Sequence, residues 1–253
     1  IKRTYNGYRD LSGIIMVIAG KFEIKKLKSQ INEYFAGIAP LRPPPAKPKT
    51  KIIEPTPLRP NIKATHKNWL IKDLNESFAM YGLLAPAKFN YDYLYFDFIR
   101  YYLLDERISK LDEVFNKINK LNIHISYEFT NYHDANALII KLSCKNRSNL
   151  EKAKYYLVKK LQSLKNGKSS VSSGDLRVVK TLMELDFLKQ MTSLEKRSLF
   201  LAEQYYVFGN LEAEDKRLSR IRKIKALDIY RISRKYLKKS NRVNVNVYPK
   251  CPE

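Results

Sequence analysis

The stretch HISYEFTNYHDANALIIKLSCK, His124 to Lys145, decides the reading of the fold. Its two arms, His124 to Asn131 and Ala137 to Lys145, are apolar segments of strand length, and His133-Asp134-Ala135-Asn136 supplies a short polar turn between them. Strands joined so briefly run antiparallel, because a parallel pair needs a crossover of about a dozen residues or more. Immediately downstream, Asn149 to Leu164 places Leu150, Ala153, Leu157 and Leu161 on one helical face. Upstream, Ser77 to Leu84 (SFAMYGLL) reads as a strand. Tyr91 to Leu104 reads as a helix apolar almost all round, and so buried between layers. Ser109 to Lys120 reads as a second helix with Ser109 as its cap. Three helical stretches, near 174–190, 193–208 and 218–238, lead to a closing strand at Val243 to Val247. Strands and helices interleave, yet the middle strands form a hairpin. The expected class is therefore α+β: a mixed, mainly antiparallel sheet with helices packed on one face.

Proline marks the organisation of the rest. Eight of the 11 prolines fall between Pro40 and Pro60, in PLRPPPAKPKTKIIEPTPLRP. Proline fixes φ and donates no backbone hydrogen bond, so this stretch reads as an extended, stiff connector of about 3.1 Å per residue. The expected division is 1–39, a linker at 40–61, and a larger unit at 62–250. In the first part Gly13 to Ala19 (GIIMVIA) has the continuous apolar pattern of a buried strand. Glu23 to Phe35 then sets Ile24, Leu27, Ile31, Tyr34 and Phe35 at helical spacing. One strand and one helix are too little to fold alone, so they complete a sheet supplied from elsewhere or dock on the larger unit. GYRDLSGIIMVIAGK near the start echoes KYLKKSNRVNVNVYPK at the end, which suggests two copies of one larger unit with the first truncated. The start at Ile1, with no signal-like apolar core, points the same way, to a piece of something longer.

The chain has 253 residues, with 48 Lys and Arg against 25 Asp and Glu, a formal charge of +23. With 44% apolar and 29% charged residues the composition is globular. No run of about 18 apolar residues occurs, so no ordinary transmembrane helix is expected. The charge favours acidic partners without specifying a fold. Cys144 and Cys251 make neither a disulfide framework nor a zinc knuckle.

Motifs for chemistry are sparse. His66, His124 and His133 are far apart in sequence and form no His-x-x-x-His pair, so no metal site is expected. Cys144 lies within an apolar strand and reads as a packing residue. Nothing resembles a phosphate-cradling glycine loop, and LKNGKSSVSSGD at 164–175 reads as a flexible connection. The basic stretch 217–239 reads as an amphipathic helix with Leu218, Ile221, Ile224, Leu227, Ile232 and Leu237 along one side and its charges in solvent. A nucleic-acid binder would join such charges to aromatics exposed on a sheet. Here the aromatics cluster in apolar helices, so nucleic-acid binding is the least favoured class.

The order of these elements resembles the pitrilysin-like or insulinase-like zinc peptidases, the family with an inverted His-x-x-Glu-His motif that includes mitochondrial processing peptidase. YRDLSGIIMVIAGKFEIKKLKSQINEYFAGIAP is similar to the end of that family's first lobe. FAMYGLLAP, the buried helix Tyr91 to Leu104, ISKLDEVFNKIN, the hairpin, SNLEKAKYYLVKKLQSL and the closing strand are similar in order to its second lobe. The resemblance implies two homologous α/β lobes, with the zinc ligands and general-base Glu upstream of Ile1 and no catalytic or metal residue in this chain. It also implies that the zinc-free half supplies an Arg and, seven residues on, a Tyr toward the substrate. Aligning VFNKINKLNIHISYEF on that pattern puts Asn119 in the place of the Arg and Ser126 seven positions on. Ile125 becomes the Tyr counterpart if one residue is deleted, and Tyr127 lies beside it. A neutral Asn lacks the guanidinium's charge and fork, so this half is not expected to make the catalytic contact in the usual way. The implied function is a wall of a closed chamber that holds an extended peptide, with a zinc-bearing homologous lobe or subunit as partner. A non-catalytic scaffold of the same fold is the alternative, and a basic nucleic-acid-binding protein a more distant one.

Overall fold

The computed structural model describes residues 14–37, 66–71, 74–88, 90–130, 136–167, 171–208 and 212–250. The linker at 40–61, the turn residues His133 to Ala135, and Cys251 lie outside them. The chain divides into two compact units. One comprises Ile1–Lys51 with Leu185–Leu218, the other Ile52–Glu184 with Ser219–Glu253.

The larger unit is built on a five-stranded sheet: β1 (His66–Ile71), β2 (Ser77–Ala85), β3 (His124–Phe129), β4 (Asn136–Cys144) and β5 (Arg242–Pro249), in the order β1-β5-β2-β4-β3. Three of the four pairings are antiparallel, and β1 runs parallel to β5, so the sheet is mixed and mainly antiparallel. Strand residues alternate between its faces. On one face Ala79, Tyr81, Leu83, Leu138, Ile140 and Leu142 are buried, while Phe78, Val245 and Ile139 on the other are half-buried. The helices account for the difference. In chain order the described helices are α1 (Ile24–Phe35), α2 (Tyr93–Leu104), the short α3 (Lys110–Asp112), α4 (Arg147–Asn166), α5 (Ser173–Met191), α6 (Leu194–Phe208), α7 (Glu212–Arg222) and α8 (Ala226–Tyr236); α1 and α6 belong to the smaller unit, and α5 and α7 are divided between the two. Helices α4 and α8 pack on β2, α4 also on β4, and α2 packs on α8.

Each helix carries its own cause. In α4, Leu150, Ala153, Leu157, Leu161 and Leu164 recur at helical spacing and are all buried. Burying each leucine contributes about 2 kcal/mol. Asn146 starts this helix by accepting the N–H groups of Ser148 and Asn149 at 2.9 and 3.3 Å. Helix α2 is buried at ten of its twelve positions, Asp97 included, as expected of a helix apolar all round. The Ser109 hydroxyl accepts the Asp112 N–H at 3.1 Å and donates to the Leu103 carbonyl at 2.8 Å, capping α3 and tying it to the end of α2.

Four expectations need correction. Ile14 to Ala19 pairs with no described strand, and Ile14, Met16 and Ile18 stand 57%, 51% and 42% exposed. A strand needs neighbours on its edges, and this stretch has none among the described residues. The second helix changes after one turn into a π-helical stretch, Glu113–Ile118. The basic segment is two helices broken at Lys223 to Lys225, not one. There the Lys225 N–H donates to Asp228 Oδ2 at 2.9 Å, and the break leaves Leu227 exposed while burying Ile229, Ile232 and Tyr236. Finally, β1 is a strand that periodicity does not reveal.

In the smaller unit α1 has no buried residue, with Ile24 63% and Tyr34 73% exposed. Phe187 and Phe200 meet edge to face at 5.6 Å, and the Arg217 guanidinium lies 5.5 Å from the Phe187 ring.

Candidate functional site

The segment between α3 and β3 is shaped by two asparagines. The Asn116 side chain donates to the Ile123 carbonyl at 2.8 Å and accepts the Ile123 N–H at 2.7 Å, mimicking one step of a strand pairing. A second bond from the same amide reaches Asp112 Oδ1 at 2.8 Å. Asn119 donates to the Val114 carbonyl at 2.6 Å and closes the π-helical stretch. Between them and β3 the chain passes through Lys120 and Asn122, both left-handed at φ 50° and 53°. Asparagine tolerates that region, whereas lysine is strained there by about 1–2 kcal/mol.

Strand β3 is an edge of the sheet, and four of its six residues are exposed. The register pairs Ile125 with Leu142, Tyr127 with Ile140 and Phe129 with Leu138, which puts these three on the helix-covered face. His124, Ser126 and Glu128 take the opposite face, with Ser143, Lys141 and Ile139. Of the expected site residues, Ile125 and Tyr127 thus share a face. Asn119 directs its amide to the helix that precedes them.

Tyr127 has a partner that the sequence reading missed. Arg100, on α2, donates from its Nη1 to the Tyr127 hydroxyl at 3.1 Å, and its guanidinium lies 4.3 Å from the Tyr101 ring centre. Asp97 accepts from Arg100 Nε and Nη2 at 2.7 Å each. Burial works against the guanidinium's charge, but the Asp97 carboxylate outweighs it and raises the Arg100 pKa above its ordinary value. The aromatic surround continues through Phe129, which stacks on Tyr93 at 5.7 Å and Phe96 at 6.0 Å. The signal for this cluster was Asp97-Phe98-Ile99-Arg100, an ion pair one helical turn apart inside an otherwise apolar helix. Chemically the arrangement offers a sheet edge that pairs with no further described strand, beside which one tyrosine is held by a fixed cation.

Among the described residues no three His, Cys, Asp or Glu side chains lie together to hold a metal ion, so those residues do not fit a zinc site. Cys144 is buried, its Sγ 3.7 Å from the Leu121 carbonyl. No described helix is long and apolar enough to cross a membrane.

Residues 2–183 match the profile of the peptidase M16 inactive domain. No curated protein matches. Among solved structures, a protease from Helicobacter pylori superposes with a TM-score of 0.70 at 16% identity, covering 91% of this chain and 53% of its own. The peptidase M16 inactive domain from Pseudomonas fluorescens superposes with a TM-score of 0.63 at 14% identity, covering 76% and 45%. The periplasmic protease PqqL from Escherichia coli does so with a TM-score of 0.66 at 14% identity, covering 91% and 25%. The chain thus spans about half the length of the first two and a quarter of the third, and at these identities the likeness is one of fold.

Proposed function

From the chain's membership of the peptidase M16 family, as its inactive, zinc-free lobe, we propose that it forms one wall of a chamber that holds an extended peptide. The zinc ligands and general base would lie on a homologous lobe outside these residues. The observation that carries this reading is the exposed edge strand β3, whose outer side pairs with no other described strand and suits the addition of a peptide strand. Ile125 and Tyr127 lie on that strand and Asn119 precedes it; of the three, Tyr127 is the one held by Arg100. The exposed apolar side chains of Ile14, Met16 and Ile18 and the unburied α1 support reading 1–39 as the end of a preceding lobe, and the proline pattern supports 40–61 as linker and 62–250 as the second lobe, although residues 185–218 group with 1–51 in one compact unit. The net charge of +23 favours acidic peptides.

Amide hydrogen exchange of the chain with an extended peptide tests the reading. Added peptide is expected to slow exchange across His124–Phe129 and to leave β1, the other edge, unchanged. Unaltered exchange at β3, combined with stable binding of a zinc-bearing lobe, would replace the peptide wall with a scaffold.

A further inference from the structure

We propose that the face of the sheet turned away from its helices is a docking surface, onto which an apolar helix of a homologous lobe packs; the identity of that occupant rests on the reading of this chain as the zinc-free lobe of a pair. The closing strand points to it. A strand with one face in water is expected to turn its apolar residues inward and its polar ones outward. β5, with the sequence RVNVNVYP, does the reverse. Asn244, Asn246 and Tyr248 lie buried on the helix side, and Val243, Val245 and Val247 take the other. An inverted strand of this kind is favourable where an apolar layer covers its outer face.

The neighbouring strands continue the pattern. By register Trp69, Val247 and Phe78 stand in one row and Lys67, Val245 and Met80 in the next, with Ile71 on the same face. Trp69, Ile71 and Met80 are 55%, 43% and 37% exposed, while the valines and Phe78 are half-buried. Apolar side chains spread over three adjacent strands make a patch on the order of several hundred Å², the size that marks an interaction surface.

Charge and chain order choose the occupant. Lys67 is the one charged residue that β1, β5 and β2 place on this face, so a polyanion has little to hold there, and a second copy would bring a further +23 charge against the first. Residues Leu185–Leu218, which include α6, group with Ile1–Lys51 in the smaller unit, and that unit contains Ile14–Ala19, the sequence echo of β5. Helices that follow one sheet in the chain thus accompany the closing strand of the lobe before it. The reciprocal arrangement brings a helix of the preceding lobe to β5. α6 shows the chemistry such a helix needs, apolar on more than one side, with Phe200 buried and Leu199 64% exposed.

Trp69 is the only tryptophan, so it reads this face directly. The full chain carrying fluorotryptophan is mixed with an unlabelled homologous polypeptide bearing His-x-x-Glu-His, and fluorine NMR follows the broadening of Trp69 by a dissolved paramagnetic additive. Binding is expected to shift the resonance and remove most of that broadening. Ile71→Lys and Met80→Lys should each weaken association about tenfold or more. Leu227→Lys, a like change at an exposed leucine of α8, should leave association unchanged. Absence of association would overturn the proposal, as would a Trp69 still open to the additive in the complex, or association undiminished by both lysines on the face. Protection of Trp69 that grows with the concentration of this chain alone would give the face to a second copy and overturn it too. The peptide wall is read separately, at β3. A covered Trp69 with no peptide effect on His124–Phe129 would support the docking face and sink the wall, and the reverse would sink the docking face alone.

Discussion

Ile14–Ala19 and Arg242–Pro249 echo each other in sequence and sit in opposite circumstances. The second is β5, paired in parallel with β1 and antiparallel with β2, with Asn244, Asn246 and Tyr248 buried under helices. The first pairs with nothing among the described residues and exposes Ile14, Met16 and Ile18. An apolar, β-branched run therefore specifies only a capacity to be a strand. The sheet that realises it must come from elsewhere in the chain or from another chain.

The largest effect that sharpens this contrast concerns Leu83, 1% exposed on β2. Leu83→Ala should destabilise the larger unit by about 2–5 kcal/mol, while Ile18→Ala should cost less than about 0.5 kcal/mol, both read by chemical denaturation. Comparable losses would break the contrast, since Ile18 would then already be packed. A middle-sized effect belongs to Ser109, whose hydroxyl makes one buried and one part-buried hydrogen bond. Ser109→Ala should cost about 1–2 kcal/mol and raise amide exchange in Lys110–Ile118, upstream of β3.

β5 is further tied to α4 through Tyr248, whose hydroxyl donates to Glu151 at 2.6 Å and accepts from Lys154 at 3.1 Å. Tyr248→Phe should cost about 1 kcal/mol. Burial works to raise the Glu151 pKa, but the hydrogen bonds from Tyr248 and Lys154 outweigh it and hold the carboxyl below the ordinary 4.5. A depressed carboxylate contributes stability above its unfolded value and loses it as pH falls through the folded one. Denaturation midpoints should therefore drop more steeply below pH 4.5 in the native chain than in Glu151→Gln. The smallest expected change is a gain: Lys120→Gly relieves a left-handed lysine, at φ 50°, and should stabilise by about 0.5–1 kcal/mol. A loss there would mean that the Lys120 side chain contributes more than its backbone strain costs.

Local pattern made much of this legible. Helices α2 and α4, the β3–β4 pairing, β2, β5 and the Ser109 cap all follow from spacing and capping within one element or between neighbours. What escaped depends on distant partners. His66–Ile71 carries Lys67 and Asn68 and is entirely exposed where described, so no alternation betrays it, and its pairing strand lies far along the chain at Arg242–Pro249. The break at Lys223–Lys225 exchanges Leu227 for Ile229 in the core, a choice that only the packing of α8 on α2 and α4 could make. In the candidate site the face of Tyr127 hung on strand register, and its partner Arg100 lies 27 residues away on another element. Asn119 rests on the resemblance alone; its amide donates to the Val114 carbonyl, and the side chain bonded to Ile123, just before β3, is Asn116.

The most direct test of the account is peptide cleavage measured with this chain, with a homologous polypeptide bearing His-x-x-Glu-His, and with the two mixed. The account predicts chelator-sensitive turnover only in the mixture, reduced at least tenfold when Tyr127 is replaced by Ala. Full turnover by the zinc-bearing polypeptide alone, unchanged on adding this chain, would contradict it.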